Sequence, residues 1–188
     1  GIDVSYNYNN LENLTFTINP YYYTYNNMID FVYALPVVAR NRTDVNTKGF
    51  ETKVKFNSNN LTFDIGYTYL EVDDLNDLDP MFYRPRHKLV SKSTVDRKNV
   101  THSFILKYQS EQDYQDFLSD DYDFINSEIK FPVNQLEDLF IMDYISKFKF
   151  EKMDLSIKIS NIFDTEYVLI QDYPMPGRVI SLNYEMKF

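Results

Sequence analysis

The chain contains no cysteine. Disulfides and thiolate-bound metal sites are therefore excluded, and composition says nothing of the redox compartment. It also lacks any run of 18 or more apolar residues, so none of its segments qualifies as a bilayer-spanning helix. Tryptophan is absent and histidine occurs only at His87 and His102. With no Ser-His-Asp order and no paired-carboxylate motif beside them, catalysis is not expected. Cationic side chains are in the minority: 19 Lys and Arg against 28 Asp and Glu leave a net charge of −9. A phosphate-binding surface needs clustered Lys and Arg, so a nucleic-acid partner is not expected.

What the chain has in quantity is aromatic residues, with 17 Tyr and 15 Phe among 188 positions. Both favour strands, and amphipathic rings suit the boundary between lipid and water. The length suits one domain. The pattern along it is alternation. Leu61, Phe63, Ile65, Tyr67 and Tyr69 oppose Thr62, Asp64, Gly66 and Thr68. Phe50, Thr52, Val54 and Phe56 oppose Glu51, Lys53 and Lys55. The same period of two runs through Val100–Gln109, Phe140–Phe150, Leu155–Ile159 and the closing RVISLNYEMKF, where Ile180, Leu182, Tyr184, Met186 and Phe188 share one face. Weaker strands are expected near 2–8, 14–26 (reaching toward 34) and 85–95, giving about nine in all.

The connections alternate in length. Short polar turns fall near Asn9–Asn13, Asn57–Asn60, Asp96–Asn99 and Glu151–Asp154, and longer loops near 35–45, 71–84, 110–136 and 170–177. Tight turns on one rim and long loops on the other fit an antiparallel up-and-down transmembrane β-barrel, whose strands show lipid only at every second residue. A mean hydropathy of −0.44 is compatible with that. Two alternatives share the alternation. A soluble β-sandwich binding module would bury one face of each sheet in a common core. A small self-contained barrel or porin would need an even strand count with first and last strands paired.

Charge follows the same polarity. Lys53, Lys55, Lys147, Lys149, Lys158 and Lys187 project from the polar strand faces, as a wet lumen would accept. Acidic residues gather in the long loops, as Asp73, Asp74, Asp77 and Asp79, and as Glu111, Asp113, Asp116, Asp120, Asp121 and Asp123. These read as solvated loops, because the spacing of Asp73–Asp79 does not match a Ca²⁺-binding EF-hand loop. No metal site and no cofactor is expected. Tyr114, Phe117, Tyr122 and Phe124 are placed either to stack on a planar ligand or to pack within their loop.

Four motifs then stand in order along residues 47–188. Thr47-Lys48-Gly49-Phe50-Glu51 opens one strand and Tyr83-Arg84-Pro85-Arg86-His87-Lys88 leads into another. Asn161-Ile162-Phe163-Asp164-Thr165-Glu166-Tyr167 follows, then Tyr173-Pro174-Met175-Pro176-Gly177-Arg178 before the last strand. This series resembles the C-terminal end of TonB-dependent outer-membrane receptors. The matching positions are Gly49, Glu51, Arg84, Pro85, Arg86, His87, Asn161, Phe163, Asp164, Tyr167, Pro174, Pro176, Gly177 and Arg178. Each also has a structural reading. Pro174 and Pro176 fix φ, Gly177 relaxes it, Arg178 can reach loop carbonyls or a lumen carboxylate, and Asn161 marks a register change or bulge.

The resemblance implies a 22-stranded barrel with an N-terminal plug, seated in the bacterial outer membrane. It implies uptake of a scarce ligand such as an iron-siderophore, haem or cobalamin, energised by the TonB complex through the plug. It also implies that Tyr184, Met186 and Phe188 form the signal read by the outer-membrane assembly machinery. The chain carries no signal-peptide pattern, plug or TonB box and only about nine strands. Residues 1–188 are therefore expected to be a C-terminal segment of the receptor barrel, whose partners are membrane lipid and the missing strands and plug of the same receptor.

Overall fold

The computed structural model describes residues 1–187, apart from residue 12 and residues 33–37, 75–80 and 126–127. Everything regular in it is strand. The long elements are β3 (Leu14–Val32), β4 (Val38–Asn57), β5 (Leu61–Asp74), β6 (His87–Arg97) and β7 (Val100–Gln109), preceded by β1 (Ile2–Asp3) and β2 (Tyr6–Leu11). An outer loop then carries β8 (Gln112–Gln115), β9 (Asp123–Ile125), β10 (Glu128–Lys130) and β11 (Val133–Leu136). The chain returns through β12 (Leu139–Lys149) and β13 (Met153–Ser160), makes a small hairpin of β14 (Val168–Ile170) and β15 (Tyr173–Pro174), and ends on β16 (Val179–Met186).

Ten of these segments form one antiparallel sheet in the order β1-β3-β4-β5-β6-β7-β12-β13-β16, with β2 also on β3. β1 and β2 lie end to end along the same strand, through Ile2↔Tyr22 and Tyr6↔Ile18, so the sheet is nine strands across. Each strand neighbours the one before it in the chain, which is up-and-down topology. The nine expected strands are all present, and the four short turns lie where expected.

Register joins the oily faces into one surface. Phe56 lies opposite Phe63, Tyr67 opposite Leu89, Phe104 opposite Tyr144, Phe148 opposite Leu155, and Leu155 opposite Tyr184. Because side chains alternate, one correct pair carries every second residue of both strands to the same side. Only Val45, Tyr114, Leu136 and Ile141 are buried hydrophobic residues among those described. A sandwich of this length would bury a second sheet's worth, so the soluble alternative does not hold. The self-contained barrel does not hold either. Among the described residues, β16 pairs only with β13, and β1 and β2 only with β3.

The short rim is stitched turn to turn. Asn57 N–H donates to Asn13 O (2.8 Å), Asp96 N–H to Asn60 O (2.9 Å), Lys149 N–H to Asn99 O (2.7 Å) and Lys187 N–H to Lys152 O (3.0 Å). The opposite rim departs from expectation. The segment 35–45 is not a loop from residue 38 onward: β4 begins at Val38, and β3 pairs with it from Leu14↔Phe56 to Val32↔Val38. Its run Arg40-Asn41-Arg42-Thr43-Asp44 is polar without alternation, which is why the sequence reads as loop although the ladder continues. β5 likewise runs to Asp74, four residues into the expected 71–84 loop, and 110–136 holds two hairpins, β8 with β11 and β9 with β10.

Candidate functional site: an apolar belt, a polar face and the outer loops

Three surfaces carry the chemistry. The first is the apolar face. Its positions on β5 (Leu61 to Tyr69), β7 (Val100 to Tyr108), β12 (Phe140 to Phe148), β13 (Met153 to Ile159) and β16 (Ile180 to Met186) hold no Asp, Glu, Lys or Arg. Along β16, Ile180, Leu182, Tyr184 and Met186 are 61–74% exposed, and no described residue covers them. The polar side chains on this face are paired locally. His102 Nδ1 and the Tyr144 hydroxyl share a 2.7 Å hydrogen bond, and Tyr67 hydroxyl and His87 Nδ1 one of 2.8 Å. Neither histidine sits beside a nucleophile-and-carboxylate set.

A charged cluster caps this face on the long-loop side. Lys48 Nζ lies 3.0 Å from Glu71 and 3.3 Å from Asp73, and the Tyr69 hydroxyl donates to Glu71 at 2.7 Å. Those bonds from Tyr69 and then Lys48 hold the Glu71 carboxyl below its ordinary range, and the Glu71 and Asp73 acceptors raise Lys48. Asp73 is thus an ion-pair partner of Lys48. Asp77 and Asp79, from the same acidic stretch, lie outside the described residues.

The second surface is the polar face. Gly49 sits on it because nothing larger fits: a Cβ there meets the Tyr69 carbonyl oxygen and lies 2.6 Å from the Tyr21 hydroxyl. Tyr21, paired directly with Gly49, lays its ring across the strand to bond Tyr69 O at 3.4 Å. Glu51, two residues on, faces the same way as Asn19 across the pair. Asp143 is almost buried here and accepts from Asn161 N–H at 2.9 Å and from Lys107 Nζ at 3.0 Å.

The motif residues gather at the third surface, the outer loops. Asn161 adopts φ 51° and ends β13 rather than bulging it. Its side chain then closes a turn, with Nδ2 donating to Thr165 O at 2.8 Å and Oδ1 accepting from Thr165 N–H at 3.0 Å. An Asn tolerates the left-handed region and can bond its own neighbours, which explains the residue type. Asp164, also left-handed at φ 57°, accepts Arg178 N–H at 2.6 Å and faces the Arg178 guanidinium at 3.7 Å. Arg178 therefore pairs with a loop carboxylate, not a lumen one. A Cβ on Gly177 would stand 2.7 Å from Asp164 Oδ1, so glycine leaves room for that bond.

Phe163 meets Phe140 at 6.2 Å between ring centres. Pro174 pairs with Val168 in the β14–β15 hairpin, Tyr167 O accepts from Met175 N–H at 3.0 Å, and Pro176 is exposed. In the other motif Pro85 is buried, Arg86 O accepts from Leu70 N–H, His87 N–H donates to Ser110 Oγ, and Arg84 is exposed. Tyr184 and Met186 lie in register on the apolar edge, and Phe188 lies outside the described residues. The structure thus brings Asn161, Asp164, Gly177 and Arg178 together and leaves Gly49, Glu51 and the 84–87 segment as separate strand-entry positions.

The loop aromatics divide. Phe117 and Tyr122 pack on Phe131 at 5.4 and 6.3 Å, Phe124 is 71% exposed, and Tyr114 is buried. Tyr114 lines a cavity of about 650 Å³ between the β8–β11 hairpin and the 161–178 loop, together with Glu137, Asp138, Glu166, Tyr167 and Met175. The sequence did not reveal this cavity, because its walls come from three segments, at Tyr114, Gln135–Leu139 and Thr165–Gly177, that only the fold brings together.

Comparison with known proteins follows the same outline. The family model described as TonB dependent receptor-like, beta-barrel, matches residues 1–162. No curated protein matches by sequence. Among solved structures, the pyoverdine outer membrane receptor FpvA from Pseudomonas aeruginosa is similar at TM-score 0.78 and 14% identity, over 99% of this chain and 29% of that one. The ferric-catecholate import receptor Fiu from Escherichia coli K12 gives TM-score 0.76 and 17% identity, over 99% of this chain and 27% of that one. The copper transporter OprC gives 0.77 and 16%, over 99% and 30%. This chain spans less than a third of the length of each.

Proposed function

Because the chain belongs to the TonB-dependent receptor β-barrel family, a family of bacterial outer-membrane receptors, we propose that residues 1–188 serve as the C-terminal part of the barrel wall of one such receptor. One observation carries the reading: the register joins the alternating strands into a single apolar face, free of charge along β5 (Leu61 to Tyr69), β7, β12, β13 and β16, backed by a face rich in Lys, Thr, Ser and Asn. A water-soluble sheet has no use for that much uncovered oil, whereas lipid requires it. In the whole receptor, further strands pair with the edges at β1–β2 and β16, and a plug fills the lumen against the polar face. Ligand is captured by the outer loops, and the TonB complex drives its release inward through the plug.

The cargo is a scarce ligand of the class that such receptors take, an iron-siderophore, haem or cobalamin. The motif residues Asn161, Asp164, Gly177 and Arg178 hold the loop before the last strand, and Tyr184, Met186 and Phe188 mark that strand for the assembly machinery. The test is fractionation of cells producing the full-length protein, followed by electrophoresis of boiled and unboiled samples and by uptake assays with and without an energised TonB complex. The reading expects outer-membrane location, heat-modifiable migration and energy-dependent uptake. A protein found soluble without detergent overturns it.

A further inference from the structure

The polar face carries one feature that a wet wall does not call for. Its positions on β4 (Thr47 to Lys55), β5, β6, β7, β12, β13 and β16 hold no aromatic residue. On β3 three stand in succession, Tyr21, Tyr23 and Tyr25. Their ring centres lie 5.8 and 6.2 Å apart, with planes tilted by 32° and 35°. Tyr21 serves as the lid on Gly49. Tyr23 and Tyr25 stand opposite Thr47 and Val45, where no glycine needs a lid, and Tyr25 is 44% exposed. Two cavities open at the foot of this ladder. One, of about 460 Å³, is walled by Tyr21, Tyr23 and Asp3. The other, of about 570 Å³, lies over Gly66, whose missing side chain leaves open space, and reaches Lys53, Lys88 and Lys92. Asn19 and Glu51 line both. Asn19 Oδ1 is buried and, alone among such side-chain atoms of the described residues, has no hydrogen-bond partner. A buried acceptor normally finds one, so this atom is set for a donor that the wall itself does not supply.

We propose that this groove binds a neutral saccharide chain of two or more rings. A sugar ring turns C–H groups onto the electron-rich face of an aromatic ring and carries hydroxyls around its edge. Jointed rings can follow tyrosines tilted by 32° and 35° to one another, which a flat rigid ligand cannot. The hydroxyls donate to Asn19 Oδ1 and to the Glu51 carboxylate. Net charge gains nothing here. Asp3 and Glu51 oppose an anion beside the rings, and over Gly66 three lysines outnumber Glu51 and Asp64 and oppose a cation. The proposal rests on the receptor reading, which makes this face the wet one, and adds a saccharide class to the cargo named there.

The experiment uses the full-length protein purified in detergent and saturation-transfer NMR. Its probes are neutral hexasaccharides of glucose, mannose, galactose and xylose, with 2,3-dihydroxybenzoate as the flat anionic control. Each variant is first checked for heat-modifiable migration, so that loss of fold is not mistaken for loss of binding. Saturable transfer to the ring C–H protons of at least one hexasaccharide is expected. Tyr23→Ala/Tyr25→Ala should weaken it about tenfold, whereas Tyr23→Phe/Tyr25→Phe keeps the ring faces and the binding. Asn19→Ala should weaken it about fivefold, the loss of one hydrogen bond, and Ser156→Ala, far along the same face, should leave it unchanged. No transfer to any of the four sugars by a correctly folded barrel overturns the saccharide proposal and leaves the receptor reading standing. Sugar binding that ignores the tyrosine and Asn19 variants does the same, as does benzoate binding that the tyrosine variants abolish. A protein that forms no barrel overturns both.

Discussion

Gly49 and Asp143 show how much a single position can hold in a wall one strand thick. At Gly49 any Cβ collides with a carbonyl of the neighbouring strand and with the Tyr21 ring. Gly49→Ala is expected to destabilise the protein by about 1–3 kcal/mol, the usual penalty of overpacking, read from the denaturant midpoint of heat-modifiable migration. Gly66 is the contrast, with open space where its Cβ would be, and Gly66→Ala should cost nothing measurable. Asp143 accepts from the Asn161 backbone and from Lys107 while almost buried. Asp143→Ala strands a buried N–H donor, and a loss of about 1–3 kcal/mol should follow, larger than that of Lys107→Met, whose side chain is half exposed.

The rim cluster adds a pH window at the same scale. Glu71 is held below its ordinary value, so its contribution is present above the carboxylate range and is lost only as pH falls through the folded pKa. Lys48 is raised, so its contribution is present below the ordinary lysine range and lost only as pH rises through its own folded value. Amide protection factors at the outer end of the β4–β5 ladder, corrected for the intrinsic exchange rate, should therefore stay flat between the carboxylate and lysine ranges and fall as pH drops through the folded Glu71 pKa. Lys48→Met should lower the plateau and remove the loss at high pH, while the Tyr69 bond to Glu71 keeps part of the fall at low pH.

At the scale of the strand, sidedness is the property under test. Ile157 lies on the apolar face between Ser146 and Leu182, while its neighbour Ser156 lies on the polar face between Lys147 and Asn183. Ile157→Arg places a charge in lipid and should cost about 2–4 kcal/mol, whereas Ser156→Arg should stay near zero. Comparison of the assembled fraction in membranes checks both. A similar loss from the two would mean that the faces are assigned wrongly. Strand existence and sidedness were legible because each half-buried strand writes its environment into every second residue. The outer extension of β3–β4 was not, since Asn41, Arg42, Thr43 and Asp44 are polar in succession and carry no alternation in the sequence. The Asn161 turn reads in the sequence as a register change or bulge for a related reason. Sequence shows where the apolar stripe breaks, and only the φ of 51° shows that the strand has ended. The cavity at Tyr114 left no periodic trace at all.

Among the described residues the sheet has two bare edges, β1–β2 on one side and β16 on the other. Unpaired N–H and C=O groups along an edge seek another strand, and lipid offers them none. Refolded by itself in detergent, the chain is expected to associate into dimers and higher species through those edges, measured as the protein mass of the detergent complex. A homogeneous monomer would count against the edge argument. Charge is also distributed across the molecule as a whole. The loop between β7 and β12 holds nine Asp and Glu against Lys130 alone, while Lys53, Lys55, Lys88, Lys92 and Lys147 face the polar side. The long-loop rim of this chain thus carries net negative charge, set apart from the lysines of the polar face.

The lock of Lys48 on Glu71 and Asp73 also acts as a depth gauge. Nine residues separate Lys48 from the Asn57 turn. That is on the order of 30 Å along the strand, or about 23 Å across the membrane at a tilt near 40°. A bilayer only a few ångströms thicker would draw a three-charge lock into hydrocarbon or force the strands upright. The spacing therefore matches the chain to a thin membrane, and thickness alone would disfavour a thicker one.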